Sequence, residues 1–240
     1  MEPGSLVTED GEVIPPDPAE RRLRELYARD DSMGIRLSMI QATDRMAVGL
    51  DGTSRTLNGP EDLRILRVTR SLADVVIVGA QTVRTEGYGD IRLGPELTAA
   101  REAAGMERLP DLAIVTRNGR GLPQDLDPDR TWIFTTEWGR AVNMTGPLAR
   151  RVLTVGRNAI EVPKIIAHLW NMGHRQLLSE GGPALARILL ASHLVNDFCL
   201  TTSPRPSSRG PKVPPVPPRM YKLHTLTGNG YTMQRFEGLS

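Results

Sequence analysis

The stretch LLSEGGPAL, residues 177–185, decides the fold, because an apolar strand there runs through two glycines into a helix. Pro183 suits the first position of that helix, where its missing N–H group costs nothing. Glycines let a ligand approach the backbone closely, and the free N–H groups of a helix start favour phosphate. The residues alone leave two interpretations open, a phosphate-binding turn and a tight turn without a ligand.

A second turn of this kind lies in VGAQTVRTEGYG, residues 78–89. The β-branched run at residues 75–78 predicts a strand buried on both faces, and the chain then bends at Gly79. In open α/β sheets ligands lie outside the carboxyl ends of the strands, where both turns are expected. Two such turns facing one crevice would hold an extended ligand such as a dinucleotide.

Around these turns strands alternate with helices, which predicts an α/β fold with a largely parallel sheet. Prolines predict the helix starts at Pro60, Pro163 and Pro183. A further short helix is predicted over residues 19–29. The predicted strands are residues 35–42, 75–78, 112–115, 132–135, 152–154, 176–178 and 197–202, with one or two edge strands between 220 and 236.

The chain is predicted to form one domain preceded by an arm. Residues 1–30 are interpreted as an N-terminal arm and a short helix, because residues 1–18 are polar and contain four prolines. Residues 31–240 are long enough to bury a core without metals or disulfides. The segment 204–218 contains seven prolines, which cannot donate to a sheet ladder, so it is predicted to be a loop.

Composition excludes several classes of function. The formal net charge of +2 is too small to favour a nucleic-acid or acidic-membrane partner. No apolar run approaches the ~20 residues that span a bilayer, and no secretory leader is recognisable, so we expect a cytoplasmic protein. The four histidines are dispersed and predict no metal site. Cys199, the single cysteine, is expected to be a buried strand residue.

Several motifs resemble one protein family. ADVVIVGAQTVR, residues 73–84, resembles the ADxxxVGxxTVR block of the RibD C-terminal reductases. EGGPAL at 180–185, followed by LVND at 194–197, is similar to that family's EGGPxL…LVDE block. TEGYG at 85–89 and LAIVTR at 112–117 resemble the actinobacterial branch. The resemblance runs from about Ile35 to the C-terminus, with both main blocks in order.

This resemblance implies a dihydrofolate-reductase-like fold, in which helices flank a mostly parallel mixed sheet. It implies a homodimer that binds NADPH and acts on a small heterocyclic substrate. The riboflavin-pathway members reduce the ribose of a phosphoribosylamino-pyrimidine, whereas some actinobacterial relatives are associated with dihydrofolate reduction.

The resemblance also implies roles for individual residues. The expected cofactor residues are Gly79, Thr82, Glu86, Thr116, Arg117, Gly181, Gly182, Pro183, Ala184 and Leu185. Arg117 would contact the 2′-phosphate of NADPH. The expected substrate residues are Ser54, Arg70 and Arg92, with the two arginines suited to binding a phosphate bidentately. Glu180 and Asp44 are the two candidate proton donors, and Glu180 has the structural alternative of capping its turn.

Three segments depart from the family pattern, and in one of them Asn196-Asp197 replaces the family's Asp-Glu. The first strand of the family ends in Ser-Leu-Asp-Gly, whereas this chain reads ATDR at residues 42–45. Arg45 therefore brings a Cβ and a long charged stem to a place where glycine lets ligands come close. The loop that begins at Pro204 is unusually rich in proline. These departures imply a changed substrate or a loss of catalysis, so a non-catalytic NADPH- or nucleotide-binding protein is the alternative function.

Overall fold

A computed structural model describes residues 4–29, 34–87, 89, 91–123, 126–143 and 147–238. The strands are β1 (Leu6–Thr8), β2 (Val13–Ile14), β3 (Gly34–Ala42), β4 (Val75–Gly79), β5 (Asp111–Val115), β6 (Thr131–Thr135), β7 (Val152–Thr154), β8 (Gln176–Ser179), β9 (Val195–Ser203), β10 (Met220–Gly228) and β11 (Tyr231–Gly238). The α-helices are α1 (Arg21–Tyr27), α2 (Pro60–Ser71), α3 (Ala80–Thr85), α4 (Pro95–Ala103), α5 (Glu137–Asn143), α6 (Val162–Asn171) and α7 (Pro183–Ala191).

The strands of the described residues form one sheet in the order β2-β1-β10-β11-β9-β3-β8-β4-β5-β6-β7. The seven strands from β9 to β7 run parallel to one another. The other four pair antiparallel at the β9 edge. The predicted α/β class with a mixed, mostly parallel sheet is confirmed. Because the parallel strands share a direction, their carboxyl ends lie along one edge of the sheet.

Apolar helix faces cover both sides of the sheet. Helices α6 and α7 pack on one face, where Leu177 of β8 is buried. Helices α1, α2 and α3 pack on the other, where its neighbour Leu178 is buried. This alternation follows from the two-residue period of a strand and explains why β8 is apolar at successive positions. As predicted, Cys199 is buried in β9.

The described part of the N-terminal arm differs from the loose segment expected. Strand β1 pairs with β10, and β2 pairs with β1, so the arm extends the sheet. Arg64 of α2 donates hydrogen bonds to the carbonyl oxygens of Gly4, Ile14 and Pro15 and forms a 2.6 Å ion pair with Glu20. The buried guanidinium therefore fixes the arm to α2. The boundary predicted between residues 30 and 31 lies outside the described residues.

The C-terminal third also differs in one respect. Strands β10 and β11 were expected at an edge, but β10 lies between β1 and β11, and β11 lies between β10 and β9. The segment 204–218 contains no strand, as predicted, and its β-bridges, to residues 46 and 49, are isolated ones. Among the described residues, no helix is long and apolar enough to cross a membrane.

Candidate active-site cleft

A cleft of about 670 Å³ opens at the carboxyl ends of β3, β8 and β4. The loop after β3, one side of α2 and the two glycine-containing turns form its walls. Of the residues predicted for the site, those that line this cleft are Ser54, Arg70, Gly79, Thr82, Glu86, Glu180, Gly181, Gly182, Pro183, Ala184 and Leu185. The structure therefore brings most of the predicted site residues together.

The two turns, residues 79–82 and 180–183, are called the glycine bends below, and they are in direct contact. The N–H group of Gly182 donates to Thr82 Oγ1 at 3.1 Å. The N–H group of Glu180 donates to the carbonyl oxygen of Ile77 at 3.0 Å, just before the first bend. The predicted proximity of the two bends is confirmed, and it arises because β4 and β8 are neighbours in the sheet.

The glycines of the second bend serve close packing. A Cβ on Gly181 would lie 2.5 Å from Leu185 Cδ2, which is closer than side chains tolerate. Gly182 and Pro183 then begin α7, whose first turn leaves N–H groups without intrahelical acceptors. Because Gly182 already donates to Thr82, the N–H groups of Ala184 and Leu185 are the ones that this turn directs toward an anion in the cleft.

Arg70 and Glu180 form a bidentate ion pair on the cleft wall. Arg70 Nε lies 2.7 Å from Glu180 Oε1, and Arg70 Nη2 lies 2.6 Å from Glu180 Oε2. The side chains are 18% and 7% exposed, respectively. The expected phosphate contact of Arg70 and the expected proton donation by Glu180 would both have to compete with this pairing. Charge-assisted pairs of this geometry are strong, so each group positions the other.

Asp62 is the cleft carboxyl with the most unusual environment. It lies in the first turn of α2, lines the cleft and is 8% exposed. The pKa of Asp62 is raised to about 6, chiefly by burial and to a lesser extent by the neighbouring Glu180 carboxylate, while a hydrogen bond with Thr201 opposes the shift. A carboxyl with this pKa carries a proton under mildly acidic conditions and can transfer it near neutral pH.

Glu86, at the C-terminal end of α3, ties the loop after β3 to that helix. Its Oε1 atom accepts a hydrogen bond from the Ser54 N–H group at 2.8 Å. Its Oε2 atom lies 3.8 Å from Arg55 Nε. Both Ser54 and Glu86 line the cleft, so this contact sets the position of the loop relative to α3.

Asp44 and Arg92 lie outside the lining of the cleft, contrary to the roles expected for them. Asp44 is exposed, and Ser207 Oγ donates to its Oδ2 atom at 2.6 Å. That hydrogen bond, with one from the Met46 N–H group, lowers the pKa of Asp44, so this carboxyl stays ionised and is a poor proton donor. Arg92 is exposed on the segment that follows the cleft residue Ile91.

Thr116 and Arg117 lie farther along the same edge of the sheet. Thr116 is buried, and its Oγ1 atom accepts the N–H group of Gly119 at 3.0 Å, so it stabilises the turn after β5. The exposed Arg117 lines a second cavity of about 290 Å³. The other residues that line this cavity are Asn118, Thr136, Trp138 and Asn158.

Arg45 does not occupy the space that was expected for it. Its guanidinium Nη2 donates to the carbonyl oxygen of Val213 at 3.2 Å, and its side chain is outside the cleft lining. Its backbone has φ +71°, in the left-handed region that a glycine adopts easily. The departure from glycine thus keeps the local backbone shape and redirects the side chain away from the cleft.

Asp62 and Trp138 are among the cavity residues that were not predicted. The sequence does not distinguish Asp62 from an exposed acidic residue at a helix start, because its hydrogen-bond partner Thr201 is distant in sequence. Trp138 lines the second cavity with 54% of its surface exposed, and no sequence pattern marked it. No cluster of three or more potential metal ligands occurs within the described residues.

Comparisons with known proteins give the same family as the motifs. A family model described as the RibD C-terminal domain matches residues 34–205. No curated protein matches the sequence. A pyrimidine reductase-like protein from Corynebacterium diphtheriae has a similar structure, with a TM-score of 0.73 and 20% identity over 91% of this chain and 99% of that chain.

Two further structures share the fold. A bifunctional diaminohydroxyphosphoribosylaminopyrimidine deaminase and 5-amino-6-(5-phosphoribosylamino)uracil reductase from Thermotoga maritima is 15% identical with a TM-score of 0.64, over 91% of this chain and 60% of that protein. A riboflavin biosynthesis reductase from Saccharomyces cerevisiae is 16% identical with a TM-score of 0.58, over 88% of this chain and 91% of the other.

Proposed function

The chain belongs to the RibD C-terminal domain family, and from this premise we propose that it is an NADPH-dependent reductase of a phosphoribosylamino-pyrimidine or a related heterocycle. One observation carries the proposal. The hydrogen-bonded glycine bends share a cleft with Asp62, a buried carboxyl whose pKa is raised to about 6. A reductase needs a cofactor cradle and a proton source within reach of one substrate, and this cleft combines the two.

The residues at the sheet edge fit an extended dinucleotide. The main cleft lies at β8 and β4, and the second cavity follows β5 and β6, the next strands in the sheet. Three strand spacings of about 4.8 Å each separate β8 from β6. The N–H groups of Ala184 and Leu185 would hold the diphosphate. Arg117 supplies a cation and Trp138 an aromatic face at the far end.

When bound in this way, NADPH would supply a hydride to an acceptor carbon of the heterocycle or its ribose. The reduction also consumes one proton, and Asp62 is placed to hold it at the cleft surface. Ionised Asp62 would lie close to the Glu180 carboxylate, and the repulsion between the two charges favours uptake of the next proton from solvent. Arg70 holds Glu180 in place through two hydrogen bonds.

A dihydrofolate-like substrate is the second candidate, and the charges of the described cleft lining favour it. Asp62, Glu86 and Glu180 balance Arg55, Arg70 and Arg187 in number, and Arg70 is already paired. A surface of this kind suits the neutral, N–H-rich pterin ring of such a substrate better than it suits a phosphate group. The non-catalytic alternative rested on Arg45 and on the changed loops, and the Arg45 side chain lies outside the cleft lining.

The test measures, by the loss of NADPH absorbance, whether the purified chain oxidises NADPH in the presence of a phosphoribosylamino-pyrimidine or, separately, of dihydrofolate. We expect turnover of one heterocycle with a lower rate for NADH than for NADPH. The same assay with Asp62→Asn reports whether turnover depends on the cleft carboxyl. Tight NADPH binding by calorimetry without oxidation by either substrate would contradict the proposal and favour a binding protein.

The homodimer that the resemblance implied and the cytoplasmic location expected from the sequence stay predictions. Sedimentation of the purified chain distinguishes a monomer of 26.4 kDa from a dimer of twice that mass.

A further inference from the structure

Two segments that are far apart in sequence pair along one side of the cleft, and we call them the paired loops, residues 44–49 and 207–213. Two isolated antiparallel bridges join them. Their main-chain hydrogen bonds run from the N–H of Ala47 to the carbonyl of Pro211 at 2.9 Å, from Val213 to Arg45 at 3.0 Å and from Ser208 to Val48 at 3.4 Å.

Side chains reinforce this pairing at both ends. The bonds are Ser207 Oγ to Asp44 Oδ2 at 2.6 Å, Ser208 Oγ to the carbonyl of Gly49 at 2.7 Å, and Arg45 Nη2 to the carbonyl of Val213 at 3.2 Å. Arg187 of α7 also donates to the carbonyl oxygen of Lys212 at 2.9 Å. The paired loops are thereby attached to the helix that follows the second glycine bend.

The paired loops also contain two of the segments in which the sequence departs from the family pattern. Arg45 holds φ +71°, a conformation that costs an ordinary residue about 1–2 kcal/mol. Such a residue persists only where its surroundings hold it, and Val213 bonds both its carbonyl oxygen and its guanidinium. The arginine and the proline-rich loop therefore depend on each other, which explains why both differ from the pattern together.

The surface that the paired loops present to the cleft is apolar and stiff. Ala47 and Val48 of one loop and Pro211 of the other line the cleft. A proline ring has a fixed φ and a β-branched valine has few rotamers, so these side chains adapt little to different ligands. A flat apolar wall of this kind suits the face of an aromatic heterocycle and discriminates by shape.

We propose that the paired loops are one specificity-determining wall, and that Ser207 is a positioning residue that sets the wall through its hydrogen bond to Asp44. The inference rests on the proposed function and deepens it, because it assigns the choice of heterocycle to this wall. The wall acts on the affinity for the heterocycle. The glycine bends, which are attached to other strands, act on the cofactor.

The experiment compares three variants of the full chain. Ser207→Ala removes the hydroxyl, and Ser207→Thr retains it. Tyr221→Phe is the control, because it removes a similarly exposed hydrogen bond elsewhere, from the Tyr221 hydroxyl on β10 to Glu237 on β11. The first measurement is amide hydrogen exchange at Ala47 and Val213, which donate across the paired loops. We expect Ser207→Ala to speed exchange at both amides by about three- to tenfold, as for the loss of one hydrogen bond, and Tyr221→Phe to leave it unchanged.

The second measurement is the KM or, by calorimetry, the Kd for dihydrofolate and for the phosphoribosylamino-pyrimidine. We expect Ser207→Ala to weaken binding of the preferred heterocycle about three- to tenfold and to leave the KM for NADPH unchanged, and Ser207→Thr to restore the affinity. Faster exchange with unchanged heterocycle affinity overturns the inference. Failure of the proposed function looks different, since it abolishes turnover in every variant while the exchange result is unaffected.

Discussion

The glycine bends and the paired loops are two parts of one cleft, and they are held in different ways. The bends follow buried parallel strands, and the bond that joins them has a main-chain donor, the N–H group of Gly182. The paired loops are joined by isolated bridges and by side-chain bonds, one of which connects the exposed Ser207 and Asp44. Substitutions in the loops can therefore reshape the substrate side without disturbing the bends.

The largest effect is expected at Asp62, which lies at neither the bends nor the paired loops but serves the reaction between them. Asp62→Asn should lower kcat by about 10²- to 10⁴-fold, because it removes the proposed proton donor. In the native protein kcat/KM should fall about tenfold per pH unit above pH 6, since the protonated fraction of Asp62 falls at that rate. The variant should lose this slope. Asp10→Asn, an exposed carboxyl on the arm, is the control, and a native slope in Asp62→Asn would contradict the assignment.

The same variant should be more stable than the native protein. The folded-state pKa of Asp62 is raised above its ordinary value, so the folded state binds more protons and stability falls as pH rises from about 4 to about 6. Asparagine has no charge to bury and can still accept the hydrogen bond from Thr201. Above pH 6 the free energy of unfolding of Asp62→Asn, measured by urea titration, should exceed that of the native protein by about 1–3 kcal/mol. Equal stabilities at pH 4 and a difference at pH 7 are the expected pattern.

The second effect tests how far the cofactor side extends along the sheet edge. Arg117→Ala should weaken NADPH binding about tenfold and leave NADH binding nearly unchanged, because only NADPH carries the 2′-phosphate that a guanidinium would bind. Arg120→Ala removes an exposed arginine from the same turn and is the matched control. Calorimetric titration with both nucleotides measures the difference, and equal losses for both would remove Arg117 from this role.

A smaller effect is expected where the two bends meet. Thr82→Val deletes the acceptor of the Gly182 N–H group and leaves that donor unpaired, which costs about 1–2 kcal/mol. The Kd for NADPH should rise about tenfold, and Thr82→Ser should restore it. Thr98→Val removes a comparable hydroxyl from α4 and serves as the control. If the heterocycle affinity changed instead of the cofactor affinity, the division of the cleft into two sides would be wrong.

The elements of the fold that could be predicted from the sequence are those determined by interactions between residues close together in the chain. Prolines predict the start of α2 and α7 because their effect is local. The same signal at Pro95 marks α4, which the predicted elements did not include. Strands β1 and β2 have three and two residues, too short for a recognisable period. The arm therefore looked loose although Arg64 fixes it.

The residues of the candidate site also divide into those marked by a local sequence motif and those that depend on distant contacts. The glycine bends were predictable because each is a continuous motif at a strand end. The raised pKa of Asp62 was not predictable, since it comes from burial and from the charge of the Glu180 carboxylate, which lies near Asp62 only in the folded chain. For the same reason Asp44 was a plausible proton donor in the sequence, and the Ser207 hydroxyl that keeps it ionised is 163 residues away.

The smallest effect concerns the strained residue of the paired loops. Arg45→Gly should relieve the left-handed backbone, worth about 1–2 kcal/mol, but it also removes the guanidinium bond to Val213 and adds freedom to the unfolded chain. These contributions oppose each other, so the free energy of unfolding should change by less than about 1 kcal/mol. Arg45→Ala loses the bond without relieving the strain and should be the less stable variant by urea titration. Were the alanine variant as stable as the glycine variant, the conformation of Arg45 would carry no strain, and the mutual dependence of the paired loops would lose its physical basis.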